Sequence, residues 1–263
     1  MLGKLIKYDL KWVYKGIVIF YILSVFFSVI GRIFIEIEGS ALFNILGKIS
    51  FGFAISMMVN IIINCIMRLW ARFVRNIYKD ESYLTHTLPV AKKTIYASKI
   101  ITSLISIITS VLVTIGCLYI CYYSKENLDV LKKLLELAAT TYDTTVVKLV
   151  LLISFVILIE IIYMVFVGYV GIILGHKRNN HKMLMSIIYA FAIYMIMQTL
   201  TLIGLVIYGT FNPDIMNLIN TTTALDISAI KSAMYLAIIN YAVYIIFLYI
   251  FGKKQLEKGV NVD

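Results

Sequence analysis

The sequence predicts an all-α, polytopic membrane protein with six transmembrane helices. Hydrophobic residues make up 61% of its 263 residues and charged residues 14%, too apolar for a water-soluble domain of ordinary composition. Six apolar runs each reach the roughly 20 residues that a helix needs to cross a hydrocarbon core about 30 Å thick. The runs are continuous rather than alternating, and the chain holds only two prolines. That pattern suits uninterrupted helices and not a transmembrane β-barrel.

The chain opens on an amphipathic stretch. Leu2, Leu5, Ile6, Trp12 and Val13 fall on one helical face and Lys4, Lys7 and Lys11 on the other, the pattern of an interfacial helix leading into the first span. Asp9 falls on the apolar face, which suggests that this face meets a protein partner as well as lipid. Four lysines precede the first apolar run and no small-residue cleavage site follows it, so the first helix is expected to be retained rather than removed as a signal. The spans are placed at 16–35, 49–70, 100–123, 149–175, 184–210 and 233–251. Little chain remains outside them, so residues 1–263 read as one membrane domain without linker or repeat.

Within the second span Asn60, Asn64 and Arg68 recur every four residues and share a face. Thr102, Ser106, Ser110 and Thr114 do the same in the third, and small polar groups of this kind allow close helix approach. Between the third and fourth spans, Leu128, Val130, Leu131, Leu134, Leu135, Leu137 and Ala138 form one half of a helix and Lys125, Asp129, Lys132, Lys133 and Glu136 the other. This reads as a surface helix at the membrane. Glu160 lies mid-span in the fourth run, where a lipid-facing charge costs on the order of 2.5–3.5 kcal/mol, so it is expected to point into the bundle or toward a subunit interface. Gly171 and Gly175 read as packing positions. Gln198 and Asn240 add one amide each to the fifth and sixth spans. Asn60, Asn64, Glu160, Gln198 and Asn240 are thus the candidates for a substrate path or for polar contacts between helices.

Charge orders these spans across the membrane. Seventeen of the 24 Lys and Arg residues fall before the first span, between Arg68 and Lys99, between Lys177 and Lys182, and after Phe251; seven fall on the other side. The bias predicts that both termini are cytoplasmic. It also accounts for the net charge of +10 as a retention signal beside anionic membrane lipid, with no nucleic-acid partner required.

Catalytic motifs are missing from the sequence. Neither Gly47-Lys48 nor Gly252-Lys253 has the upstream glycine of a phosphate-binding loop, and there is no His-Glu-x-x-His pair or Gly-x-Ser-x-Gly elbow. His176 and His181 sit in a basic loop, where neighbouring cations oppose metal binding, and read as solvated. Cys65, Cys117 and Cys121 lie inside spans and read as packing residues. No cofactor, metal site or catalytic residue is expected in this chain.

The longest cytoplasmic loop, between the second and third spans, is built unlike a mere connection. Tyr83, Leu84 and Leu88 are apolar in a water-facing segment, and Asp80 and Glu81 interrupt a basic run. Apolar residues ringed by charge suggest a docking surface. The stretch Asp80-Glu81-Ser82-Tyr83-Leu84-Thr85-His86-Thr87-Leu88-Pro89, followed by Ser98-Lys99, resembles the coupling region of permease subunits of ABC type-2 exporters from Gram-positive bacteria. That region often reads acid, acid or glycine, then Tyr-Leu-Thr-x-Thr-Leu-Pro, with Ser-Lys at the third helix; Ser82 stands where glycine is common.

The resemblance implies an N-terminal elbow helix, a cytoplasmic coupling helix between the second and third spans, and pairing with a second permease copy or paralogue. It also implies two separate ABC ATPase subunits that bind ATP and Mg. Asp80, Glu81, Tyr83, Leu84, Thr85, Thr87, Leu88 and Pro89 would form the contact with the ATPase. On this expectation the chain is not an enzyme but a multi-pass protein of the bacterial plasma membrane. Its apolar spans and scarce ionisable groups favour an amphipathic or hydrophobic cargo, such as a peptide antibiotic, toxin peptide or lipid. The alternative is a stand-alone secondary transporter or channel that uses Glu160.

Overall fold

The computed structural model describes residues 1–37, 40–211 and 227–259. Asp263, which the charge count places in the cytoplasm, lies outside them. Among the described residues there are eight helices and no strand: α1 (Leu2–Glu36), α2 (Ala41–Ile77), α3 (Ser82–Thr87), α4 (Lys92–Tyr122), α5 (Lys125–Thr141), α6 (Val146–Gly175), α7 (Lys182–Phe211) and α8 (Ile227–Glu257). Six of them, α1, α2, α4, α6, α7 and α8, are long and apolar enough to cross a membrane. Five of them contain one expected span each, and α4 covers the third expected span up to Tyr122, one residue short of its end. The N-terminal amphipathic stretch is not a separate element: it forms the first turns of α1, which runs unbroken from Leu2. No proline or glycine pair interrupts that segment, so nothing in the backbone favours a bend.

The chain forms two compact units, Met1–Asp129 and Val130–Asn261. In the first, α1, α2 and α4 pack against one another and α3 packs on α2. The buried stripe of α2 is Gly47, Ser50, Ala54, Met58, Ile61, Cys65 and Leu69. Its steps of three, four and four residues repeat every eleven, close to the natural 3.6-residue turn, so one face stays against its neighbours along a straight helix. Small groups set the approach. A Cβ on Gly31 would meet the Phe51 ring, and one on Gly47 would meet Ile35.

The third-span stripe behaves as its spacing predicts. Thr102, Ser106 and Ser110 are buried, and Tyr21 Oη lies 2.8 Å from Ser110 Oγ. Tyr14 Oη lies 2.6 Å from the neighbouring Thr109 Oγ1. Cys117 and Cys121 are free thiols packed with Ala54 and Met58.

In the second unit, α6 packs against α7 and α8. Gly171 faces Ala190 and Gly175 faces Ser186, both so closely that a methyl group would overlap backbone atoms of α7. Outside those contacts α7 is largely exposed, with only Ser186, Met197 and Gly209 buried. The amphipathic segment forms α5, and Leu128, Val130, Leu131, Leu134 and Leu137 on its apolar half are exposed. That arrangement matches an interfacial helix. His176 is not solvated, contrary to the sequence expectation. It is 2% exposed, with Nδ1 2.9 Å from the Ile172 carbonyl and 3.3 Å from Ser186 Oγ. With no side chain at Gly175 and only a hydroxymethyl group at Ser186, α6 and α7 approach closely there and the ring lies back over the end of α6.

Candidate functional site

The residues of the second-to-third-span loop are organised by a buried charge cluster. Asp9 on α1, Arg72 on α2 and Lys99 on α4 are 2%, 8% and 3% exposed. The Asp9 carboxylate accepts from Arg72 Nε at 2.8 Å and from Lys99 Nζ at 2.8 Å to each oxygen. An unpaired buried charge would cost several kcal/mol; here each charge has a partner in hydrogen-bond geometry, which makes the burial tolerable. This corrects the sequence expectation for Asp9, whose face meets α2 and α4 of its own chain. Trp12 completes the arrangement, its ring 5.5 Å from the Arg68 guanidinium and 5.6 Å from that of Arg72. Gly16 lets Arg68 lie flat on α1, since a Cβ there would overlap the guanidinium.

Arg72 also reaches outward. Its Nη1 donates to Glu81 Oε2 at 2.5 Å, Arg75 Nε lies 3.2 Å from Glu81 Oε1, and Asn76 Nδ2 donates weakly to Glu81 Oε2 at 3.4 Å. Glu81 immediately precedes α3. The Thr85 hydroxyl and amide both bond to the Glu81 carbonyl, at 2.9 and 3.0 Å, and His86 Nε2 lies 3.1 Å from the Ile77 carbonyl. The adjacent Tyr78 is buried, so this end of α2 is packed rather than frayed, and that burial raises the pKa of the Tyr78 hydroxyl above its ordinary value. Leu88 is extended, as a residue before proline prefers, so Pro89 ends the helix there.

The short helix therefore has two faces. Ser82 and Thr85 are buried, at 2% and 4% exposure, while Tyr83 and Leu84 are 79% and 70% exposed. Thr87, Leu88 and Pro89 share the exposed side. Of the eight residues expected to meet a partner, Thr85 instead faces its own unit and Glu81 is engaged by Arg72 and Arg75. Asp80 is exposed and 3.9 Å from Arg75 Nε. Ser82 is buried on the inner side of α3.

The intramembrane candidates separate into two groups. Asn60 and Asn64 donate within their own helix, their Nδ2 groups bonding to the Ser56 and Asn60 carbonyls at 2.9 and 3.0 Å. In the second unit, Glu160, Gln198 and Asn240 belong to one polar and aromatic zone of α6, α7 and α8. The Tyr163 ring lies 5.2 Å from Tyr241 and 6.2 Å from Tyr244, and Tyr244 Oη lies 3.2 Å from Thr201 Oγ1. Tyr241 is hydrogen-bonded with Gln198 and lies near Glu160. Two buried polar atoms of this zone, Tyr163 Oη and Asn240 Nδ2, have no hydrogen-bond partner among the described residues. Glu160 itself is exposed in the single chain, so of the two expected directions, into the bundle or toward a subunit interface, it does not take the first. The packed face of α6 there is that of Ile159 and Tyr163, and Glu160 falls beside it.

The sequence signal that could have found the charge cluster is Asp9 itself. It is the one acid before Glu36, and it stands on an apolar face where it requires a cation. No protein-family model, curated protein or solved structure matches the chain.

Proposed function

We propose that this chain is the permease subunit of an ATP-driven ABC exporter of the bacterial plasma membrane. It would move an amphipathic or hydrophobic cargo (a peptide antibiotic, toxin peptide or lipid) and draw its energy from separate ATPase subunits that bind ATP and Mg. A second permease, copy or paralogue, would complete the pathway. The observation that carries the reading is α3, a six-residue helix whose outer face presents Tyr83, Leu84 and Leu88 to solvent while Glu81 and Thr85 tie its inner side down. Fully burying one such side chain is worth about 1.5–3 kcal/mol. A patch of this kind, held in one conformation, is a favourable anchor for a groove on another protein.

In this role α3 would be a coupling helix, and the Glu81–Arg72–Asp9–Lys99 chain would carry its displacement to α1, α2 and α4, three helices long enough to span the membrane. Rigid-body rocking of helices is an established way to convert such displacement into access change.

The test is affinity purification of the tagged chain from its native membrane. Co-purification of an ATPase carrying a nucleotide loop, with Mg-ATP hydrolysis in the complex, is the expected result. A chain that purifies alone and transports without ATP would favour the second reading, a secondary transporter. That alternative draws on Glu160, an acid at mid-helix in α6 with no Lys or Arg anywhere between Lys148 and Lys177.

A further inference from the structure

A cavity of about 590 Å³ opens at the N-terminal end of α6. Two cations stand at it: Lys148, in the first turn of α6, and Lys231, on α8. Lys231 Nζ donates to the Tyr142 carbonyl at 3.3 Å, which holds the ammonium against the turn joining α5 and α6. Asp143, in that turn, has a left-handed φ of 45° and also lines the cavity, so one carboxylate stands against two ammonium groups. Thr145 caps α6 through its hydroxyl, 3.4 Å from the Lys148 amide, and the helix points its positive end the same way.

Further in, the lining changes character. Leu149, Leu152, Phe155 and Tyr235 form the apolar wall. From Leu149 to Phe155 is six residues, about 9 Å of helix rise. The site is therefore cationic at its mouth and apolar below, at the end of a helix long enough to span the membrane. Its volume lies in the range of small-molecule sites, roughly 300–1,000 Å³, enough for a charged headgroup and the first part of one apolar chain.

We propose that this cavity binds an amphiphile with a net anionic phosphate headgroup, one whose phosphate is not neutralised by a cation of its own, Lys148 and Lys231 holding the phosphate and Leu149, Leu152 and Phe155 receiving the adjoining apolar chain. Phosphate bound by two ammonium groups makes charge-assisted hydrogen bonds at a dielectric boundary, where they are stronger than in water. Long lysine side chains suit the place because their methylene stems lie along apolar surface while the ammonium stays at the interface. The phosphate could belong to a membrane phospholipid or to a free anion, and only the first uses the apolar wall. The inference does not depend on an ATPase partner.

The experiment is native mass spectrometry of the full chain in detergent, titrated with phosphatidylglycerol or with phosphatidylcholine of the same acyl chains. Wild type should retain phosphatidylglycerol at least about tenfold more tightly, a difference of about 1.4 kcal/mol, and millimolar inorganic phosphate should not displace it. Lys148→Gln with Lys231→Gln should bring both lipids to the same level, whereas Lys148→Arg with Lys231→Arg, which keeps the charge and controls for folding, should retain the preference. Equal retention of the two lipids by wild type, an unchanged preference in the double Gln variant, or displacement by inorganic phosphate alone would each overturn the proposal.

Discussion

Asp9 and Lys99, ninety residues apart in the chain, meet through both carboxylate oxygens at 2.8 Å, and Arg72 shares the same carboxylate. The contact fixes the facing positions of α1 and α4, and through the second guanidinium bond of Arg72 it extends to Glu81 at the start of α3. Four charges of alternating sign thus form a chain, and Arg75 joins it at Glu81. Removing Asp9 leaves Lys99 buried without its carboxylate, while Arg72 keeps only Glu81.

The first prediction concerns that imbalance. Asp9→Ala should lower unfolding stability by about 3–5 kcal/mol, the range for breaking a buried pair from one side. Removing Asp9 and Lys99 together should cost less than the sum of the two single changes, because the pair leaves as a neutral unit. Thermal or denaturant unfolding of the four proteins in detergent checks this; additive losses would show that the two groups are not coupled.

A second prediction tests the close approach of α6 and α7. At Gly175 any side chain meets the backbone of Ser186, so neither helix can yield cheaply. Gly175→Val should destabilise the protein by about 1–3 kcal/mol or more, as overpacking does. The same substitution at Gly52, which has open space around it, should cost about 0.5 kcal/mol or less. Unfolding midpoints of the two variants decide it.

Much of this organisation was legible in the sequence, and the gaps have physical causes. Apolar runs are long, and length alone separates a spanning helix from a buried one, so all six could be placed. Stripes such as Thr102, Ser106 and Ser110 follow directly from helical periodicity. Periodicity assigns a residue to a face but does not say what lies opposite. By sequence alone Asp9 therefore reads as facing a partner, Thr85 as part of an outward surface, and His176 as solvated, because the true environment of each depends on groups elsewhere in the chain. The continuity of α1 was hidden for a related reason, since an interfacial helix and the first turns of a long one share the same amphipathic pattern.

A third prediction addresses Glu160. Its exposed position in α6 and the absence of a cation between Lys148 and Lys177 leave it to be met by a proton, by another protein surface or by cargo. Glu160→Gln should keep membrane abundance near wild type, while Glu160→Lys should impair assembly or transport, since it reverses charge at a depth where either sign costs on the order of 2.5–3.5 kcal/mol. Immunoblot abundance alongside transport makes the comparison. Equal behaviour of the Gln and Lys variants would remove any electrostatic role.

The fourth prediction is topological. Reporters placed after Asp263 and near His86 should lie on the cytoplasmic side and one near Asp143 outside, as the distribution of Lys and Arg requires. Accessibility labelling in intact cells and inverted vesicles measures it, and finding the Asp263 and Asp143 reporters on one side would contradict six crossings.

The role of α3 as the contact with an ATPase is tested most directly by co-purification and export in Tyr83→Ala, Leu84→Ala and the double variant, each normalised to membrane abundance and compared with Lys92→Ala. Tyr83 and Leu84 are exposed and outside the charge cluster, so their loss should leave the fold intact, remove apolar anchors worth about 1–2 kcal/mol or more each, and cut partner recovery tenfold or more in the double variant. Lys92→Ala, a rim charge, should change little. Full partner recovery and normal export in the double variant would contradict the account and leave the solitary-transporter reading in its place.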